Sequence, residues 1–292
     1  MKKAICFLLV ISLLLINVGC TSTKQNAQVV ATTKPVYDFT SALCGGTGIQ
    51  VSLLVTESLS CLHDYTLQVR QMRMLEGAQT VIISGAGLED FLHDALEGSR
   101  TVIDASQNIP LHCNSPHEHE AHDGHNHEND PHIWLNIDYA RTMARNIHAG
   151  LSAQFPHHKA KFDANLDQLN TRFDALAAYG TEKLSSLKTK DLITFHDGFG
   201  YFAEYWNLTI LRAVEEESGS EASAAELKEL ICLVRQHNIP AIFVEENGST
   251  SAPGIIASET GVKIFSLNMG MSDKDYFSSM EQNIDSIKEA LG

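Results

Sequence analysis

The feature that most constrains the fold is an alternation of strand-forming runs with helical patterns, which occurs in two separate stretches of the chain. The runs of the first stretch are residues 28–32, 49–55, 80–84 and 101–104. The runs of the second are residues 191–195, 208–214, 241–244 and 263–266. Strands that alternate with helices predict a parallel sheet covered by helices. We therefore predict an α/β fold with two four-stranded parallel-sheet lobes.

A long helical pattern separates the two stretches. Its apolar side chains recur at three- and four-residue steps: Phe162, Leu166, Leu169, Phe173 and Leu176. A single helix over residues 156–187 would be roughly 48 Å long, at about 1.5 Å per residue. We predict an N-terminal lobe over residues 29–155, a linker helix over 156–188 and a C-terminal lobe over 189–292.

The N-terminus has the features of an export signal. Two lysines precede an apolar run over residues 4–16, which is too short to span a bilayer and is typical of a signal peptide. The glycine before Cys20 resembles a bacterial lipoprotein cleavage site, although Asn17 stands where Leu is usual. We predict a signal peptide over residues 1–19 and a tether over 20–28 that begins at a lipidated Cys20, with plain secretion as the alternative.

The charge of the chain excludes one class of partner. Asp and Glu number 36 against 21 Lys and Arg, which gives a formal net charge of -15. Because so acidic a chain would not neutralise phosphates, we predict no nucleic-acid binding. Beyond Cys20, an exported protein can pair its cysteines in three ways or keep them as free thiols; they are Cys44, Cys61, Cys113 and Cys232.

Histidines are concentrated in one polar segment in mid-chain. Residues 110–131 lack helix or strand periodicity, which predicts an exposed loop. Five of its histidines alternate with carboxylates at short spacing: His117, His119, His122, His125 and His127. Imidazole and carboxylate in this pattern suit zinc, copper or nickel. We predict that the histidine-rich loop, residues 112–130, collects several ions loosely; the alternative is a solvated polar loop.

Three other histidines can meet between the lobes. His63 follows the second predicted strand, His132 lies where the histidine-rich loop rejoins the fold, and His196 directly follows the first strand of the second lobe. Ligands of open α/β sheets bind at the carboxyl ends of the strands. Two lobes that face each other across these ends would bring the three imidazoles together as a zinc site with one position left to fill.

Four motifs occur in order along the chain: His-Asp-Tyr at 63–65, Ser-Gly-Ala-Gly-Leu-Glu at 84–89, Asp-Pro-His-Ile-Trp at 130–134 and His-Asp-Gly-Phe-Gly-Tyr-Phe at 196–202. Together they resemble the zinc- and manganese-binding solute-binding proteins of bacterial ABC importers, over nearly the whole mature chain. The resemblance implies two α/β lobes joined by a rigid helix, with metal in the cleft between them. It also implies that His63, His132 and His196 are ligands. A histidine at the third position, with a histidine-rich loop, implies zinc rather than manganese, which prefers oxygen ligands.

The fourth ligand departs from the pattern of that family. Many members have an Asp near the strand before the last helix, but residues 265–270 contain no carboxylate, and Asn268 offers only an amide oxygen. We predict that Glu245, at the end of the strand 241–244, is the fourth ligand. Glu246 beside it, Asn268 or a water molecule are the alternatives.

Two acidic residues and one cysteine adjoin the predicted ligands. Asp64 and Asp197 each follow a ligand histidine. A carboxylate that binds the second nitrogen of an imidazole fixes the orientation of the ring, so we predict this role for both. Cys61, two residues before His63, is predicted to be structural or disulfide-bonded rather than a metal ligand.

These features predict a monomeric, lipid-anchored extracytoplasmic protein that captures Zn(II) for an ABC permease and its ATPase. Mn(II) is the less favoured cargo. Three histidines with a water would also suit a zinc hydrolase, but the chain has neither a His-Glu-x-x-His motif nor a Gly-x-Ser-x-Gly elbow. We therefore predict that the protein is not an enzyme, and a surface metal buffer or adhesin without a transporter remains a further alternative.

Overall fold

A computed structural model describes residues 29–57, 62, 65–96, 100–112, 129–215, 222–246 and 248–292. Several predictions fall outside these ranges: the signal peptide, the tether, Cys20, Cys61, His63, Asp64, Cys113 and the five loop histidines. Within the described ranges, no helix has both the length and the apolar character needed to cross a bilayer.

The N-terminal lobe is built on a parallel sheet. Its strands are β1 (Val29–Ala31), β2 (Val51–Leu53), β3 (Thr80–Ile83) and β4 (Thr101–Asp104), in the order β2-β1-β3-β4. Every pairing is parallel, and Val30 lies between Ser52 and Val81. The connections contain α1 (Lys34–Cys44), α2 (Val69–Gly77), a 3-10 turn (Asp90–Leu92) and α3 (His93–Leu96).

The C-terminal lobe repeats this topology. Its strands are β5 (Asp191–His196), β6 (Thr209–Glu215), β7 (Ala241–Glu245) and β8 (Lys263–Leu267), in the order β6-β5-β7-β8 and all parallel. Its helices are α6 (Gly200–Trp206), α7 (Ala224–His237), α8 (Ser251–Thr260) and α9 (Tyr276–Leu291). The described strands thus form two four-stranded parallel sheets of equivalent order, which confirms the predicted α/β class.

Two helices connect the lobes. Helix α4 (Ile137–Gln154) begins after Asn136, whose side chain accepts hydrogen bonds from the first-turn amides of Asp138 and Tyr139. Helix α5 (Lys159–Leu184) has 26 residues and is about 39 Å long at 1.5 Å per residue. The helix is shorter than the predicted 156–187, because Pro156–His158 forms a separate 3-10 turn before it.

The long helix is a packed element rather than a bare spacer. Helix α5 contacts α1, α4 and α9, the last of which belongs to the C-terminal lobe. Phe39 of α1 and Phe173 of α5 have ring centroids 5.6 Å apart, and the ring of Tyr276 in α9 lies 4.9 Å from that of Phe39. Each such pair contributes about 0.5–1.5 kcal/mol beyond its buried area. One aromatic core therefore holds the two lobes in a fixed relative position.

The structure describes two of the four cysteines, and both are free thiols. Cys44 is buried in α1, whereas Cys232 is exposed on α7. Burial raises the pKa of the Cys44 thiol to about 12, so this group stays protonated and unreactive at neutral pH. A disulfide between these two cysteines is therefore not formed.

Candidate metal centre

The C-terminal sheet places two predicted ligands at its topological switch point. Strands β5 and β7 are neighbours, with Thr194 opposite Phe243, and the following strands extend the sheet in opposite directions from them. His196 is the last residue of β5 and Glu245 is the last residue of β7. Ligands of open α/β sheets bind beyond the carboxyl ends of the strands at such a point. The Nε2 atom of His196 lies 3.6 Å from Oε1 of Glu245.

His132 reaches the same point from a different part of the chain. It stands directly before a 3-10 turn over Ile133–Leu135, between the histidine-rich loop and α4. Its ring centroid lies 5.2 Å from that of His196, with the ring planes nearly perpendicular. The exposed fractions of His132, His196 and Glu245 are 4%, 4% and 6%. The fold thus buries two imidazoles and one carboxylate together.

Asp130, for which the sequence analysis predicted no role, fixes the orientation of the His132 ring. Oδ1 of Asp130 lies 2.7 Å from Nδ1 of His132 and accepts a second hydrogen bond from the His132 backbone amide at 2.9 Å. Because a carboxylate only accepts, the neutral ring donates its Nδ1 proton and keeps the Nε2 lone pair for a metal. The Asp-Pro-His spacing is the sequence signal from which this role could have been found.

Asp197 was predicted to play the same part for His196. The structure places Asp197 one residue beyond the end of β5, with an exposed side chain. Gly198 follows, and it permits close packing: a Cβ atom there would lie 2.6 Å from Cδ2 of His196 and 2.8 Å from Cε of Met269. Gly198 and Met269 therefore pack against one part of the His196 ring, and the role of Asp197 stays a prediction.

The other candidates for the fourth ligand are engaged in the loop after β8. Oδ1 of Asn268 accepts from the Gly270 amide at 2.7 Å, and its Nδ2 donates to Ser272 at 3.0 Å and to the carboxylate of Glu246. Glu246 is exposed and forms an ion pair with Lys274 at 3.1 Å. Both side chains stabilise the loop after β8 through these bonds, whereas the Glu245 side chain is buried and lies beside His196.

Both ends of the histidine-rich loop are fixed beside this centre. The amide of Asp130 donates to the backbone oxygen of His112 at 2.9 Å. The ring of His112 stacks on Tyr201 of α6 with centroids 4.1 Å apart, and its Nε2 lies 3.3 Å from Glu204. The hydroxyl of Tyr201 donates to the backbone oxygen of Asp130 at 3.0 Å. The end of the loop at Asp130 is buried rather than exposed as predicted, because it packs against the second lobe.

The switch point of the N-terminal sheet is filled by its own side chains. Glu89 is buried there and accepts hydrogen bonds from the Thr32 hydroxyl at 2.6 Å and from the amides of Ser84 and Gly85 at 2.7 and 3.0 Å. Burial raises the pKa of the Glu89 carboxyl to about 7. The Ser-Gly-Ala-Gly-Leu-Glu motif therefore builds a turn that is closed by the Glu89 carboxyl group.

The described side chains do not complete a metal site by themselves. In the part of the chain that the structure covers, no group of three or more His, Cys, Asp or Glu side chains is arranged to hold an ion. His132, His196 and Glu245 approach one another in pairs, and His63 lies outside the described ranges. The full ligand set stays a prediction.

Comparison with known proteins identifies the family of the chain. The model of the family described as "ZnuA: Zinc-uptake complex component A periplasmic" matches residues 29–290. The zinc-binding lipoprotein AdcA of Streptococcus pneumoniae serotype 4 is 30% identical over 306 residues, covering 98% of this chain and 61% of AdcA, less than two thirds of that relative. The high-affinity zinc uptake system protein ZnuA of Bacillus subtilis is 30% identical over 311 residues, covering 99% and 95%.

A solved structure gives the same result for the fold. The Zn(II)-bound ZnuA-like domain of Streptococcus pneumoniae AdcA superimposes with a TM-score of 0.75 at 28% identity, over 90% of this chain and 98% of that domain. The family match covers both lobes and the helices between them. The chain belongs to the ZnuA family, described as component A of the zinc-uptake complex.

Proposed function

We propose that this protein captures Zn(II) outside the cytoplasm and delivers it to an ABC permease and its ATPase. The observation that carries the proposal is the burial of His132 beside His196 and Glu245, from separate parts of the chain, at the carboxyl edge of the second sheet. Imidazole nitrogen and carboxylate oxygen are ligands that zinc takes in proteins. Membership of a family named for zinc uptake supports the same conclusion.

The proposed ligands are His63, His132, His196 and Glu245. Two ligand atoms of a tetrahedral zinc ion stand about 3.3 Å apart, since each lies about 2.0–2.1 Å from the metal. The 3.6 Å between His196 and Glu245 is close to that separation, so small shifts would complete the pair. Asp130 orients His132, while the roles of Asp64 and Asp197 remain predictions.

Nitrogen donors favour zinc over manganese in this proposal. A set of three imidazoles and one carboxylate suits zinc, whereas manganese prefers sites rich in oxygen ligands. The burial of His132, His196 and Glu245 also favours binding over catalysis, because a catalytic zinc keeps an open coordination position for water or substrate. We therefore propose a carrier of zinc ions rather than a hydrolase.

The proposal extends to the membrane and to the loop. Lipidation of Cys20 would hold a monomeric protein at the membrane surface, since buried acyl chains contribute about 0.8 kcal/mol per methylene. The histidine-rich loop, with His117, His119, His122, His125 and His127, would raise the local zinc concentration. The fixed position of His112 and Asp130 beside the centre supports this role, because both ends of the loop meet there.

Competitive zinc titration of the mature chain tests the proposal. We expect one tight site that His132→Ala or His196→Ala weakens by roughly 100-fold or more, because losing a ligand costs at least as much as losing a group that orients one. Replacing the five loop histidines with Asn should remove only weak sites. If tight binding disappears with the loop histidines and survives in His196→Ala, the protein is a metal buffer and the cleft site is wrong.

A matched pair of variants tests the fourth ligand. Glu245→Gln should weaken zinc binding, because it replaces the buried carboxylate that faces His196 with an amide. Glu246→Gln is the control, since that carboxylate pairs with Lys274 on the surface. Equal zinc affinities of the two variants and the wild type would exclude both carboxylates and leave Asn268 or water at the fourth position. A parallel titration with Mn(II) should give weaker binding, and tighter binding of Mn(II) would overturn the choice of zinc.

A further inference from the structure

Two aromatic residues bond the segment that carries His132 to the second lobe. The indole Nε1 of Trp134 donates to the backbone oxygen of Met269 at 2.7 Å. The hydroxyl of Tyr276, the first residue of α9, donates to the backbone oxygen of Trp134 at 2.8 Å. Trp134 is 1% exposed and Tyr276 is fully buried, so water does not replace either bond readily. The segment after His132 is thus held through both its side chain and its backbone.

Tyr276 is itself anchored to the first lobe. Its backbone amide donates to Oδ2 of Asp38 in α1 at 2.8 Å. Asp38 forms an ion pair with Lys34 at 2.6 Å, and Lys34 also donates to the backbone oxygen of Lys274 at 2.9 Å. A continuous set of bonds therefore runs from α1, through the start of α9, to Trp134.

The two residues of the Trp134–Met269 hydrogen bond each pack against one candidate ligand. The ring of Trp134 lies 5.5 Å from that of His132 in an edge-to-face arrangement. The Cβ position at Gly198 lies 2.7 Å from Nε2 of His196 and 2.8 Å from Cε of Met269, so the Met269 side chain packs beside the His196 ring. A displacement of Trp134 relative to Met269 would consequently move His132 relative to His196.

We propose that Trp134 and Tyr276 are positioning residues that set the spacing between His132 and His196. The inference rests on the proposed function, in that it takes these two histidines as zinc ligands. His132 itself is hydrogen-bonded to Asp130, and the bonds that join its segment to the C-terminal lobe are those of Trp134. These bonds therefore hold the segment that carries His132 against the part of the C-terminal lobe that packs beside His196.

Removal of each hydrogen-bond donor tests this role in the full chain. Tyr276→Phe deletes the hydroxyl and Trp134→Phe deletes the indole N–H, while each keeps an aromatic ring in the core. Each variant should weaken zinc binding about 10- to 100-fold, the range found when groups that orient metal ligands are removed. Each should also change the visible absorption of bound Co(II), which reports the arrangement of the ligands.

Tyr179→Phe is the matched control. The hydroxyl of Tyr179 in α5 donates to Asp285 in α9 at 2.7 Å, a bond of similar length to the same helix. Among the described residues this hydroxyl is not hydrogen-bonded to the segment that carries His132, so Tyr179→Phe should leave zinc affinity and the Co(II) spectrum unchanged. Thermal unfolding of the metal-free proteins then separates a loss of stability from a change at the site.

The outcomes distinguish the inference from the function on which it rests. If Tyr276→Phe and Trp134→Phe bind zinc within about twofold of wild type, while His132→Ala and His196→Ala lose tight binding, the positioning role is refuted and the proposed function stands. The inference is also refuted if Tyr179→Phe weakens binding equally. If the two histidine variants bind like wild type, the proposed function fails and the inference fails with it. Should Tyr276→Phe not fold, Trp134→Phe decides.

Discussion

Replacing Asp130 with Asn should weaken zinc binding about tenfold while leaving the fold intact. Asn keeps the size and the acceptor oxygen of Asp130 but loses the charge that faces Nδ1 of His132 at 2.7 Å. A hydrogen bond to a charged group contributes about 1.5–3 kcal/mol, against about 1 kcal/mol for a neutral one. The difference of about 0.5–2 kcal/mol corresponds to a loss of roughly 2- to 30-fold in affinity, at about 1.4 kcal/mol per tenfold.

Zinc competition against a chromophoric chelator at pH 7.5 measures this loss. Asp163→Asn is the control, because Asp163 faces Nε2 of His148 at 2.8 Å in a similar pair between α4 and α5, away from the centre. That variant should bind zinc like wild type. If Asp130→Asn also binds like wild type while His132→Ala loses tight binding, Asp130 does not act on zinc through the imidazole, and our reasoning is wrong.

Two further predictions concern stability. Gly85→Ala should lower the free energy of unfolding by about 2–4 kcal/mol, because φ is +81° there and a Cβ atom would lie 2.1 Å from Oδ1 of Asp104. Gly254→Ala is the control: this glycine lies in open space in α8, and the change should raise the free energy of unfolding by up to about 1 kcal/mol. Equal effects of the two changes in denaturant titration would contradict the packing argument. Burial raises the pKa of Glu89 from 4.5 to about 7, so the folded state binds protons more readily than the unfolded state, and stability should fall by about 3 kcal/mol as pH rises from about 4.5 to above 7. Glu89→Gln should flatten this part of the pH profile, and a profile identical to wild type would exclude Glu89 as its source.

Local patterns in the chain account for most of the fold. The predicted run at 101–104 coincides with β4, and the helical pattern that follows the run at 241–244, over residues 251–260, coincides with α8. The helical pattern after the run at 80–84 predicts one helix over residues 88–96, and this prediction is wrong in part. Residues 85–87 all have positive φ, and a 3-10 turn and a four-residue helix follow. Glycine tolerates positive φ, so this turn depends on backbone freedom that a hydrophobic pattern does not reveal.

Part of the candidate site could be predicted from local patterns and part could not. His196 and Glu245 could be placed because each ends a strand, and the carboxyl ends of parallel strands share one edge. The role of Asp130 was not predicted, although it stands only two residues from His132. The engagement of Asn268 with Glu246 and Ser272 was also invisible, because it depends on how the loop after β8 folds back.

The two sheets, the helices between them and the histidines available for metal could be predicted from the chain alone, because periodicity and strand ends are properties of neighbouring residues. Which of these groups meet depends on how the chain packs. Trp134 and Met269 are 135 positions apart, and their hydrogen bond follows only from the packing of α9 against the segment after His132. Such contacts depend on the mutual fit of distant surfaces, for which a single chain carries no local signal.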